Sequence, residues 1–289
     1  MDSAQGDFRE LYASLIEYDG GSPYRDVLAP WVEANTDELD WLRSFASRSR
    51  TPVPVAEPED LRGLYALGRV NEILLLRFQR GQADGIDWPG PAVSLDEYVA
   101  FAESLGLAAN AVPQPFSPFY HEIVEVHQAD DEERPVSLLA TFWPCLMLGE
   151  MLFSRAGVRV LGGRRFIRKE VAESSTLYWA YRRKNRPYHD LSRGWGSNSQ
   201  WGTKFRRDYR IGQGFHYNVD GTHDLAVLEP TAEDWYGLGR EERIELLTNR
   251  CFVTTIKPHS DLYPYNDVFR TEAVTERTHN VTDCSGHTG

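Results

Sequence analysis

Apolar positions change their spacing about a third of the way along the chain. Leu11, Leu15 and Ile16 fall on one helical stripe, and Leu39, Trp41, Leu42 and Phe45 on another. Between Leu61 and Phe78, the positions Leu64, Leu67, Val70, Ile73, Leu74 and Leu75 repeat every three to four residues in a setting of strong helix formers. Pro52, Pro54 and Pro58 mark a connection, and a second break falls at Asp87-Trp88-Pro89-Gly90-Pro91. Ser94-Leu95-Asp96-Glu97 then supplies an N-terminal cap for a short helix through Leu105, stopped by Gly106.

From Phe116 the spacing becomes that of strands. Phe119 to Gln128 is β-branched and aromatic without a helical stripe. Ala129 to Pro135 reads as a charged turn, and Val136 to Trp143 as the hairpin partner of that strand. Gly157 to Gly163 reads as a further strand and turn. Glu170 to Arg186 predicts a helix stopped by Pro187, followed by a polar loop with Gly194, Gly196 and Gly202. Phe215 to Val219 and Leu225 to Leu228 predict two strands about the turn signal Asp220-Gly221. Arg240 to Arg250 predicts a helix and Cys251 to Ile256 a strand. Helices first and strands later, without β-α alternation, give an α+β class: a helical N-terminal region, then a mixed, mainly antiparallel sheet with flanking helices. The division falls between 1–110 and 111–289, as two regions or within one compact unit.

Composition narrows the class. With 41% hydrophobic and 26% charged residues among 289, the chain can bury a core and is neither disordered nor disulfide-built. The run Val136 to Phe153 carries one charge, Glu150, but Pro144 and Gly149 interrupt it and it is short for a membrane span. The polar start Met1-Asp2-Ser3 lacks the pattern of a secretory signal, and Cys145, Cys251 and Cys284 form no Cys-x-x-Cys pair. Both features lead us to expect a cytoplasmic protein with reduced thiols and no membrane partner.

Charge is uneven. The net value of −12 argues against a nucleic-acid coat, yet Arg155 to Arg210 holds 15 basic and 4 acidic residues. Part of that excess has a local explanation if the predicted helix forms, because Arg182, Arg183, Lys184 and Arg186 would then sit at its negative end. The remainder centres on Gly194 to Arg210. There Trp195, Asn198, Gln200, Trp201, Lys204, Arg206 and Arg207 combine ring faces, amides and guanidinium forks, a mixture suited to a small polar or anionic metabolite.

Three groups could carry chemistry. His121, Glu125 and His127 alternate along one predicted strand and would share a face, either as acid/base groups or as ligands for iron, zinc or manganese. His216 is a further proton carrier or ligand. Asp130-Asp131-Glu132-Glu133 resembles an aspartate-rich magnesium motif but reads as a solvated turn. His259, Asp261 and His279 resemble a facial triad only loosely. No phosphate loop, dinucleotide fingerprint or nucleophile elbow is present, so the sequence has no ATP or NAD motif. The sequence thus leads to an enzyme acting on a small anionic metabolite by acid/base or metal-assisted chemistry. The rival is a non-catalytic, immunity-type protein docking an acidic macromolecule through a basic-aromatic surface.

Overall fold

The computed structural model describes residues 4–48, 53, 55–81, 88–110, 115–190, 200–229, 237–257 and 266–271. Its helices come first: α1 (Ala4–Glu17), a π turn running into α2 (Ala29–Ala34), α3 (Thr36–Ser47), α4 (Pro58–Leu75) and α5 (Leu95–Ser104). The cap read from sequence is present at α5, where Ser94 Oγ accepts from Glu97 N at 3.2 Å and Ser94 N donates to the Glu97 carboxylate at 2.7 Å. The apolar face of α4 is fully inward, with Leu64, Leu67, Val70, Ile73 and Leu74 almost completely buried.

The strands follow: β1 (Ala108–Asn110), β2 (His121–Gln128), β3 (Ser137–Trp143), β4 (Cys145–Leu148), β5 (Met151–Ser154) and β6 (Ala156–Gly162). After the short α6 (Lys169–Ala172) come β7 (Leu177–Tyr178), β8 (Tyr188–His189), β9 (Asp208–Ile211), β10 (Gly214–Tyr217) and β11 (His223–Asp224). Helix α7 (Arg240–Asn249) and strand β12 (Asp267–Arg270) complete the order. One sheet has the order β1-β4-β5-β9-β10-β12-β11 and a second β2-β6-β3. Most pairs are antiparallel, as the α+β reading expects. The parallel pairs are β2 with β6, β7 with β8, and β11 with β12. One apolar cluster joins the helices to Val124, Trp143, Leu146, Met151 and Phe153, and a second lies between the sheets around Phe119, Val158 and Leu152.

Four local expectations are corrected. Strand β3 pairs with β6 instead of β2, which lies on the other side of β6. The predicted helix Glu170–Arg186 lasts one turn. Trp179 and Arg182 take φ of 56° and 55°, which no α-helix accommodates, and Leu177 N and Trp179 N donate to Pro187 O and His189 O instead. Cys251 to Ile256 forms no strand because the Val253, Thr254 and Thr255 amides converge on Glu245 Oε1 at 2.6, 2.5 and 3.2 Å. Finally, the predicted hairpin about Asp220-Gly221 does not form: Leu225 to Leu228 is turn and bend, the strand there is the two-residue β11 before it, and β12 lies between β10 and β11.

Candidate functional site

Strands β3 and β4 run on into one another, as do β5 and β6, so Ser137–Gly162 is one two-stranded ribbon bent from the small sheet into the large one. Pro144 stands at the bend on one leg and Arg155 on the other. The bend is pinned by Trp143, whose Nε1 donates to the Arg155 carbonyl at 2.8 Å. The Trp143 ring lies where a Cβ at Gly157 would be, 2.3 Å from its Cζ2, so only glycine fits there. The corner therefore turns the Arg155 side chain into the interior, where it is 2% exposed.

Two other arginines reach the same place from different segments. Arg206 leads into β9, and Arg250 caps α7 in a left-handed conformation with φ of 61°, its carbonyl accepting from Tyr178 N at 2.8 Å. All three guanidiniums gather about one carboxylate, Asp208, which is wholly buried. Arg206 Nε lies 2.9 Å from Asp208 Oδ1, and Arg250 Nη2 and Arg155 Nη2 lie 3.4 and 3.9 Å from Oδ2. The C-terminal end of α7 adds acceptors: Leu247 O takes Arg206 Nη2 at 2.9 Å and Thr248 O takes Arg155 Nη2 at 2.7 Å. These acceptors do not fill every donor. Arg155 Nε, Arg155 Nη1 and Arg250 Nε are buried without a hydrogen-bond partner. Burial, together with the nearby Arg250 and Arg206, pushes the Arg155 pKa down to about 9. Burial alone would raise the pKa of Asp208, but the three guanidiniums hold it below the ordinary carboxylate value.

The opposite wall has the reverse balance. Arg183 is held between Glu122, with contacts of 2.8 and 2.9 Å, and Glu72. Its pKa is driven up by these two carboxylates against the effect of burial. Arg69 pairs with Asp190, which also accepts from the Tyr65 hydroxyl at 2.7 Å. Between the walls is a small cavity that opens to solvent at its mouth. About 70 Å³ of it admits the centres of water-sized spheres, several times the ~10–15 Å³ that one water needs. Phe153 and Phe205 stack at 5.5 Å along one side, and Gly68 of α4 lets the Phe205 ring approach within ordinary contact, 3.5 Å from where a Cβ would stand. Trp179, with its strained backbone, covers the Arg206 guanidinium at 3.9 Å.

The residues singled out from sequence divide between this cavity and elsewhere. Arg206 and Lys204 line it, Lys204 as an exposed side chain. Arg207 turns away to Asp220, with contacts of 2.6 and 2.9 Å. Trp201 packs edge-on against Tyr12 of α1 at 5.4 Å. Trp195 and Asn198 lie outside the described residues. Gln200 belongs to the 3-10 turn Gln200–Gly202, but its side chain also lies outside them.

His121, Glu125 and His127 do not share a face. A bulge between Ile123 and Glu125 shifts the alternation: His121 pairs across from Ala156 with the buried side, whereas Glu125 and His127 pair with Arg159 and Leu161. His121 is buried, its Nδ1 accepting from Ser117 N at 2.9 Å, and burial lowers its pKa to about 4. Glu125 instead bonds Arg159 at 2.7 Å and approaches His127 at 3.4 Å. Among the described residues no three His, Cys, Asp or Glu side chains gather as a metal site would require. His216 sits on β10, where Arg270 Nε donates to its Nε2 at 3.2 Å. Asp130 to Glu133 forms an exposed turn as expected, with Glu133 paired to Arg165, while His259, Asp261 and His279 lie outside the described residues.

Sequence reasoning missed Arg155, Arg250 and Arg183. The first two have no local pattern to reveal them. Arg183 was assigned to a helix end that does not form. Its surroundings, Arg182 to Arg186 directly before Pro187, still carry a cationic run that could have marked it. No family model, curated protein or solved structure matches the chain. No helix among the described residues is long and apolar enough to cross a membrane.

Proposed function

We propose that the protein is an enzyme acting on a small anionic metabolite, and that the cavity between Arg155 and Arg183 is where the molecule is held. One observation carries this reading: three guanidiniums converge on a single carboxylate, leaving buried donors of Arg155 and Arg250 unfilled. An unsatisfied buried donor costs roughly 1–3 kcal/mol, and Arg155 and Arg250, which carry such donors, both line the cavity. The acid group of the ligand would lie at the arginine corner, with its remainder along Phe153, Phe205 and Tyr181. Proton transfer would fall to groups lining the same space, foremost Tyr65, whose hydroxyl already donates to the Asp190 carboxylate.

The burial of these cations favours a small ligand over the rival reading of an acidic macromolecule. Arg155, Arg183, Arg206 and Arg207 are each 6% exposed or less, so a broad partner surface could not reach them. Incubation of the purified chain with an anionic-metabolite extract, followed by liquid chromatography and mass spectrometry, tests the reading. Wild-type protein should consume one anionic species and release another, and Arg155→Met should not. Retention without conversion would reduce the protein to a binder, and neither retention nor conversion would remove the reading altogether.

A further inference from the structure

We propose that Phe153 fixes how long an organic chain the cavity can bury, by standing between the cavity and an apolar void behind it. This rests on the reading of the cavity as an anion site and adds the class of substrate: a compact organic anion of few carbons.

Helix α4 divides the interior. Its residues Tyr65, Gly68, Arg69 and Glu72 line the cavity, whereas Leu67 and Leu74, further round the helix, line a void bounded by α5 and β4. That void leaves only about 10 Å³ for the centre of a water-sized sphere, room for one water at most. Among the described residues two line both spaces, Asn71 of α4 and Phe153 of β5. Phe153 also stands two residues before Arg155 on the same leg of the bent ribbon, so the clamp for the acid group and the stop for the chain are set by one segment.

The two halves of the partition are held differently. Asn71 is fixed through its amide, which accepts from the Tyr98 hydroxyl at 2.7 Å and donates to Ser154 Oγ at 3.2 Å. The Phe153 ring is held by packing alone, 4% exposed and stacked on Phe205 at 5.5 Å with 13° between the rings. It is therefore the half that a substitution can remove. What lies behind it decides what would enter. Asn71 and Tyr98 turn their polar groups to one another, and the other side chains lining the void are hydrocarbon. Such a space takes the end of an aliphatic chain and rejects a charged or hydroxylated one, which would lose its hydration there without a partner.

The test is NMR-detected titration of the full-length protein with the straight-chain carboxylates from acetate to octanoate at pH 7.5. Each methylene that moves from water into an apolar space strengthens binding about fourfold. In wild-type protein that gain should stop within the series, because a chain that has reached Phe153 has no further apolar space to enter. In Phe153→Ala it should continue for about two more carbons, roughly tenfold in affinity for the longer acids. Phe153→Ala empties a packed position and puts the fold at risk, so Phe153→Leu is measured beside it and should give a smaller extension in the same direction. Phe101 lines the void and not the cavity, so Phe101→Leu should leave the stopping length where it is. Arg155→Met should weaken every member of the series. A gain that never stops in wild-type protein, or one stopping length shared by wild type and the Phe153 variants, would overturn the inference and leave an anion site. Binding of none of the acids, or binding that Arg155→Met leaves intact, would overturn both.

Discussion

The two buried arginine clusters on either side of the cavity are built from the same side chains and differ in arithmetic. Arg183 sits between two carboxylates, Glu72 and Glu122, with short contacts to both. Arg155, Arg206 and Arg250 share one carboxylate and two helix-end carbonyls, and donors of Arg155 and Arg250 are left over. A buried ion cluster that serves only the fold is expected to be closed, because an unanswered charge in the interior is expensive. The closed cluster therefore reads as architecture. The open one leaves donors of Arg155 and Arg250 buried without a hydrogen-bond partner, and the proposed ligand would sit beside it.

That contrast can be broken by substitution. Arg183→Met leaves Glu72 and Glu122 buried without a counterion and should lower the unfolding free energy by about 3–5 kcal/mol, measured by urea denaturation. Arg155→Met removes a cation with buried, unfilled donors, so the same measurement should move by no more than about 1 kcal/mol in ligand-free protein. Equal losses at the two positions would mean that the corner is as structural as its counterpart.

Smaller effects sharpen the comparison. Burial and the neighbouring Arg250 and Arg206 put the Arg155 pKa at about 9. The charged form is the one that attracts an anion, so affinity for butanoate should fall as pH rises through that value. The expected loss is about tenfold between pH 8 and 10, roughly 1.4 kcal/mol, and should vanish in Arg155→Met. The smallest effect is at His121. Burial is the main reason its pKa falls to about 4, and the Arg155 charge pushes it in the same direction. Arg155→Met should therefore raise the His121 pKa, read from its imidazole signals in an NMR titration. In wild-type protein His121 stays neutral when folded down to about pH 4, whereas the unfolded chain charges it near 6.5. Stability should accordingly drop as pH falls through that window, by roughly 1–2 kcal/mol.

The helical third was readable because each helix shows one apolar stripe to a common core, and the Ser94-Glu97 cap and the α4 periodicity depend only on residues close in sequence. Some strands were found but mispaired, since pairing is settled by distant contacts: nothing in Val136 to Trp143 says that β6 and not β2 lies beside it; β9 and β12 were not foreseen, and Cys251 to Ile256 was read as a strand that does not form. The His121, Glu125 and His127 alignment failed on one bulged residue, which alternation cannot foresee. At the candidate site, Arg206 and Lys204 were legible from their aromatic and basic neighbours. Arg155 and Arg250 stand in apolar or ordinary surroundings and become site residues only when a bent ribbon and a helix end meet.

The bend pinned by Trp143 against Gly157 bears on time as well as on position. Residues 155, 206 and 250 come from three separate segments, the bent ribbon, the approach to β9 and the end of α7, so the pocket exists only where all three are packed together. An occupant bridging those three segments would have to leave before any of them could part. Its effect should be greatest on the rate of unfolding, making the loaded protein long-lived where the empty one is merely stable.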